Sequence, residues 1–242
     1  MTLYNNFFFV AFPYVAIIIF IVGTIYRYRE TKFKYSSISS QFLETRRLYW
    51  GSVPFHFGII FLFFGHLNAF LVPQYVLLWN QLPLRLAILE ITAFVFGIMT
   101  FLGLINLFYR RLTNPRIQKV TNYADIILEI LLLTEIFLGL WVAYGYRWGS
   151  SWFAVVLTPY LQSIFELNPQ IDAVAMLPLI IQFHIILAFI ILLIIPFTRL
   201  VHLLVFPLSY LWRPYQKVIW NWNRKKVRNP KTNWTIHKPS NN

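Results

Sequence analysis

Apolar residues in this chain run on without the polar breaks of a globular core. Ile17–Ile18–Ile19–Phe20–Ile21–Val22 and Ile190–Ile191–Leu192–Leu193–Ile194–Ile195 are examples. Five stretches, at about 3–26, 52–72, 83–109, 124–145 and 177–205, each reach the roughly 20 residues a helix needs to cross about 30 Å of hydrocarbon. A membrane-spanning barrel would instead alternate apolar and polar positions over about ten residues, and these runs do not alternate. The pattern therefore predicts an all-α integral membrane protein with five transmembrane helices in a bundle. Residues 1–215 form its membrane domain and residues 216–242 a basic tail. The longest connection runs from about Tyr146 to Met176, and within it Ser151 to Phe165 can form a helix lying on the membrane surface.

Composition agrees: of 242 residues 58% are hydrophobic and 12% charged, and the mean hydropathy is +0.60, too apolar for a soluble domain. The first segment carries no Lys or Arg ahead of its apolar core, so it is expected to remain as a helix rather than be cleaved. Tyr26, Tyr28, Tyr49, Trp50, Trp79, Tyr109, Trp141, Tyr144, Tyr146, Trp148 and Trp152 crowd the segment ends, where aromatic rings anchor helices to the bilayer interface.

A net charge of +13 would suggest nucleic acid as the partner of a soluble protein. Its distribution says otherwise, because all of the 21 basic residues except Arg85 and Arg147 fall on one side of the five segments. The positive-inside rule then puts the N-terminus outside and the C-terminus in the cytoplasm. The basic tail suits anionic lipid or a cytoplasmic protein partner, and no nucleic acid is expected. Cysteine is absent, which excludes an iron–sulfur cluster, a disulfide and a Cys-ligated zinc within the chain.

Four of the five histidines lie inside the apolar segments: His56 and His66 in the second, His184 and His202 in the fifth. An imidazole in hydrocarbon is costly unless it is satisfied, so these four mark a functional site. The two segments run in opposite directions, which pairs His66 with His184 near the outside and His56 with His202 near the cytoplasm. Imidazoles facing each other across a bundle are the ligand set of bis-histidine haem, and two haems stacked across the membrane follow. Zinc is disfavoured, because no third ligand accompanies either pair. The spacings leave a mismatch: ten residues of helix rise about 15 Å and eighteen about 27 Å. Helix tilt, leaning imidazoles and a bend at Pro196 must absorb the difference. Gly51, Gly58 and Gly65, seven apart, either let a flat macrocycle approach the backbone or let two helices pack closely.

Several stretches resemble the gamma subunit of respiratory nitrate reductase, a dihaem cytochrome b. They are FFFVAFPY (Phe7 to Tyr14), SSQFLE (Ser39 to Glu44), HFGIIFLFFGH (His56 to His66), NPRIQKVTNYADIIL (Asn114 to Leu128) and HIILAFIILLIIPFTRLVH (His184 to His202). The resemblance extends to about Tyr215, and the two histidine spacings, with P-F-T-R-L before the last histidine, carry it together.

The resemblance implies a subunit that oxidises quinol near the outer face and passes electrons through an outer haem (His66, His184) and an inner haem (His56, His202). The acceptors would be an iron–sulfur beta subunit and, beyond it, a molybdenum alpha subunit, so no nitrate chemistry belongs to this chain. Arg110, Arg111 and Arg199 lie at the membrane face suited to the inner haem's propionates, or serve only as positive-inside charge. At the quinol site the family's lysine near the start of the third helix is replaced by Ala87, leaving Gly65, Arg85 and Glu90 as the groups available there. Glu129 and Glu135 are further intramembrane carboxylates without an evident partner. Two alternatives stand beside this reading. One is a dihaem subunit of a related complex, of the heterodisulfide or sulfite reductase type or running nitrite oxidation in reverse. The other is a haem-free transporter using Glu90, Glu129 and Glu135 as a proton relay.

Overall fold

The computed structural model of the chain describes residues 3–31, 43 and 46–204. Five helices among them are long and apolar enough to cross a membrane, labelled here α1 (Leu3–Glu30), α2 (Arg47–Leu71), α3 (Pro83–Thr113), α4 (Tyr123–Gly145) and α5 (Leu179–Phe197). No strand occurs among the described residues, and the chain is a multi-pass membrane protein. Ile18, Val22, Phe57, Ile60, Phe64, Ile91, Val95 and Leu102 are exposed on these helices. In water such a surface would aggregate, whereas in a bilayer it is the lipid-facing coat that an internally hydrogen-bonded helix requires. Expectations for the basic tail and its boundary at residue 215, and for SSQFLE apart from Leu43, lie outside the described residues.

The helix boundaries follow local chemistry. Pro83 opens α3, where its missing N–H costs nothing. Asn122 and Asp125 form a capping box at the start of α4, each side chain taking a backbone N–H of the other at 2.8 and 3.1 Å. The close crossing of α2 over α3 depends on glycine. A Cβ on Gly58 would sit 2.1 Å from Thr100 Oγ1, and one on Gly51 2.8 Å from the Leu107 side chain. These two glycines are therefore packing positions. Gly65 differs, since a Cβ there would meet no atom within 4 Å.

The fifth segment departs from expectation. Its apolar run continues to Val205, but the α-helix stops at Ile194 and gives way to two 3-10 turns, Ile195–Phe197 and Arg199–Leu203. Pro196 removes a backbone donor, and Thr198 between the turns is extended, at φ −120° and ψ 179°. The Thr198 side chain accepts the Leu200 N–H, starting the second turn. Arg27 of α1 reaches across to the Pro196 and Thr198 carbonyls freed at this break. His202 thus sits on a separate turn, and the rise of an unbroken helix no longer governs its distance from His184.

At the opposite end, residues 149–165 form a helical cap, interrupted by a π-turn at Phe153–Leu157. Phe9 of α1 packs with Tyr160, Ile164, Val174 and Ile181 in a buried cluster that joins cap, α1 and α5. The Tyr160 hydroxyl donates to Phe9 O at 2.9 Å, Tyr14 OH to Ile164 O at 3.0 Å, and Thr158 Oγ1 to Ala69 O at 2.9 Å. These bonds fix the cap over the end of the bundle where α2 finishes and α5 begins.

Candidate functional site

The four intramembrane histidines fall into two groups along the bundle. At the end remote from the cap, His56 Nδ1 is 2.7 Å from Ser52 O and 3.1 Å from Ser52 Oγ, and His202 Nδ1 is 2.6 Å from Arg199 O. A neutral imidazole whose Nδ1–H is given to a carbonyl keeps its Nε2 lone pair for another partner. The two rings face each other with centroids 6.1 Å apart, inclined at 61°. Two imidazoles each bound at about 2 Å to one shared metal have centroids roughly 6 Å apart. The pair therefore fits bis-histidine ligation of one iron, with Nδ1 already held in the manner typical of metal-bound histidines.

Near the cap, His66 Nδ1 is 2.8 Å from Leu62 O, and its ring meets Phe153 of the π-turn edge-on at 5.4 Å. His66 lies within electrostatic range of His184 and Glu135, yet keeps an exposed surface, as does Gly65 beside it. On that side the ring is not covered by packed protein. His184 Nδ1 lies 3.1 Å from Glu135 Oε1 on α4. A Cβ on Gly139, one turn further along α4, would be 3.2 Å from His184 Cε1. The open space beside Gly65 and His66 suits the edge of a flat ligand. Among the described residues no group of three or more His, Asp or Glu side chains converges as a metal site, so each iron would need its remaining ligands from a macrocycle.

The polar side chains singled out in the sequence fall in separate places. Arg85 stacks over Trp79 at 5.2 Å, and Trp79 Nε1 donates to Arg85 O at 3.3 Å. Glu90 Oε1 accepts Ser150 N–H at 2.8 Å and Ser150 Oγ–H at 2.6 Å, tying the first turn of the cap to α3. Asn80 donates to Ser150 and Ser151 hydroxyls at 3.0 and 2.9 Å. Glu90 is thus a fastening for the cap, while its Oε2 lies near Gly149, where a Cβ would come within 3.7 Å of it.

At the His56/His202 end the arginines enter an ion network. Arg111 pairs with Glu129 at 2.8 Å and with Asp125 at 3.4 Å, and Arg199 pairs with Asp125 at 2.8 Å. Arg110 is buried beside them on α3. Glu129 and Glu135, expected to lack partners, both have one: the Arg111 guanidinium and the His184 ring. Both partners lie on other helices, and local sequence carries no trace of that. Asp125 is the residue the sequence reading passed over, although Asn-x-x-Asp at the head of an apolar run is a capping-box signature.

Comparison with known proteins adds an independent observation. The family model for the nitrate reductase gamma subunit matches residues 5–221. The chain is 32% identical over 217 residues to the nitrate reductase gamma chain of Bacillus subtilis, covering 84% of this chain and 92% of that one. It is 32% identical over 223 residues to the respiratory nitrate reductase 2 gamma chain of Escherichia coli, covering 88% and 96%. A nitrate reductase-like protein, NarX, of Mycobacterium tuberculosis is 35% identical over 219 residues, which span 32% of its length.

Proposed function

The chain belongs to the nitrate reductase gamma subunit family, and from that premise we propose that it is the membrane electron-transfer subunit of a nitrate reductase, carrying two haems b. His56 and His202 hold the inner haem, His66 and His184 the outer. The observation that carries this reading is the 6.1 Å separation of the His56 and His202 rings, each with Nδ1 on a carbonyl. Haem iron supplies one-electron transfer along the bundle axis. The protein contributes orientation: backbone carbonyls hold the tautomers, and the break at Pro196 brings His202 opposite His56.

The basic residues at the α1–α2 and α3–α4 connections favour the inner haem facing the cytoplasm of a prokaryotic cell, with the N-terminus and the cap outside. On that side an iron–sulfur beta subunit and a molybdenum alpha subunit receive the electrons. Arg110, Arg111 and Arg199 would supply the positive charge for the inner haem's acid groups. Asp125 and Glu129 neutralise Arg111 and Arg199 there, so these two act within a network rather than as free cations.

At the outer end, quinol enters beside Gly65, where a Cβ would meet no atom within 4 Å. Arg85, seated on Trp79, and Glu90, tied through Oε1 to Ser150 of the cap, are the ionisable groups of α3 offered to the quinol, with Glu90 as the acceptor of a quinol proton. The ion pair of Glu129 with Arg111 and the contact of Glu135 with His184 speak against a proton relay through these carboxylates, and hence against a haem-free transporter.

Anaerobic addition of quinol to the purified complex tests this function. Quinol should bring up reduced b-type absorption bands and nitrate should then bleach them; bands that respond to neither reagent would refute the reading.

A further inference from the structure

Three of the four histidines rest Nδ1 on a backbone carbonyl of their own turn, namely Ser52, Leu62 and Arg199. His184 instead places Nδ1 against a side chain from another helix, and that side chain is a carboxylate. Glu135 and Gly139 are spaced i, i+4 on α4, so they share a face. Together they make a seat for the ring: Glu135 Oε1 stands 3.1 Å from Nδ1, and the missing side chain of Gly139 leaves room for the Cε1 edge, which a Cβ would approach to 3.2 Å. The contact is at ion-pair distance but not aligned as a hydrogen bond. Glu135 Oε2 and His184 Nδ1 are both buried without another partner. A carboxylate at this depth has a large desolvation cost, and here the polar group set against it is the imidazole of His184.

We propose that Glu135 is a positioning residue for the outer haem: its carboxylate serves as the acceptor for the Nδ1–H of His184, holds the ring with Nε2 free for the iron, and would lower the reduction potential of that haem. The inference rests on the dihaem reading above and extends it to a residue outside the ligand set. A carboxylate behind a ligating histidine raises the basicity of the ligand, which stabilises the oxidised metal. Among the described residues the inner pair places Nδ1 on neutral carbonyls and the Ser52 hydroxyl, with no carboxylate behind it. The bundle would then set the outer haem lower than the inner through the second partner of a single histidine, favouring electron flow inward.

Potentiometric titration of wild type and Glu135→Gln, followed by optical and low-spin EPR signals, tests the assignment. Both haems should remain. The outer haem should titrate at higher potential by an amount equivalent to about a tenfold change in preference for ferric over ferrous iron, ~59 mV for one electron, with a moved EPR signal and an unchanged inner haem. Glu135→Asp should restore part of the shift. Loss of the outer haem alone from Glu135→Gln, with its return in Glu135→Asp, supports the same role. Superimposable titrations, a shift confined to the haem that His202→Ala removes, or loss of both haems from both variants would overturn it. Absence of haem from wild type would instead remove the dihaem reading itself.

Discussion

Arg199 joins two structures at once: its guanidinium pairs with Asp125 at 2.8 Å, and its carbonyl oxygen lies 2.6 Å from His202 Nδ1. The ion network between α3, α4 and the turn after α5 therefore holds one of the proposed inner haem ligands in place.

Asp125→Asn should be costly there and should act on one haem first. The change keeps a side chain able to cap α4 but leaves Arg111 and Arg199 undercompensated in a largely buried site. Breaking one partner out of a buried pair costs about 3–5 kcal/mol, discounted here because the Arg199 side chain is partly exposed at 28%. Thermal unfolding in detergent should show a lowered Tm, and haem analysis a preferential loss of the inner haem. Equal loss of both haems would mean the network serves the fold at large.

For Glu90 the two oxygens have separable roles. Glu90→Gln keeps an acceptor for Ser150 but cannot take a proton at the second position, so quinol oxidation should slow at least about tenfold while both haems and Tm are kept. Glu90→Ala removes the fastening as well and should lower Tm by a few degrees. Unchanged turnover in Glu90→Gln would confine this residue to holding the cap.

Burial, with the Tyr14 phenol as a lesser influence, pushes the Tyr160 hydroxyl far above the ordinary tyrosine range. The unfolded chain releases this proton near about pH 10 while the folded chain retains it, so ionisation favours unfolding above that pH. The contribution of Tyr160 is present in full below about pH 10 and declines by up to ~1.4 kcal/mol per unit above it. Stability measured from about pH 9 to 11 should fall more steeply in wild type than in Tyr160→Phe, which itself should lose about 1 kcal/mol at neutral pH with the bond to Phe9 O. Parallel pH profiles would contradict this.

The sequence was most legible where a single physical requirement acts over many residues. Long apolar runs set the five spans, and the antiparallel order of α2 and α5 put His56 with His202. Local breaks were harder to read. Hydropathy alone extends the fifth segment to 205, because Phe197, Leu200 and Val201 are as apolar as the helix before them; the ring of Pro196 and the extended Thr198 end it earlier. That break also relieves the mismatch between the ten- and eighteen-residue spacings. Gly51 and Gly58 proved to be packing positions against α3, whereas Gly65 kept its open surroundings, a difference set by the crossing of α2 and α3 and absent from the seven-residue repeat. Least legible were the pairings of Glu129 with Arg111 and of Glu135 with His184, which join different helices.

The central claim is that two histidine pairs hold two haems. Haem b per polypeptide, counted by its pyridine adduct in wild type and in four single His→Ala variants with low-spin EPR to identify the survivor, tests it most directly. The account predicts two haems in wild type and one in each variant. His56→Ala and His202→Ala should lack the same signal, and His66→Ala and His184→Ala the other. A wild type without haem, or His56→Ala and His184→Ala sharing a missing signal, would contradict it.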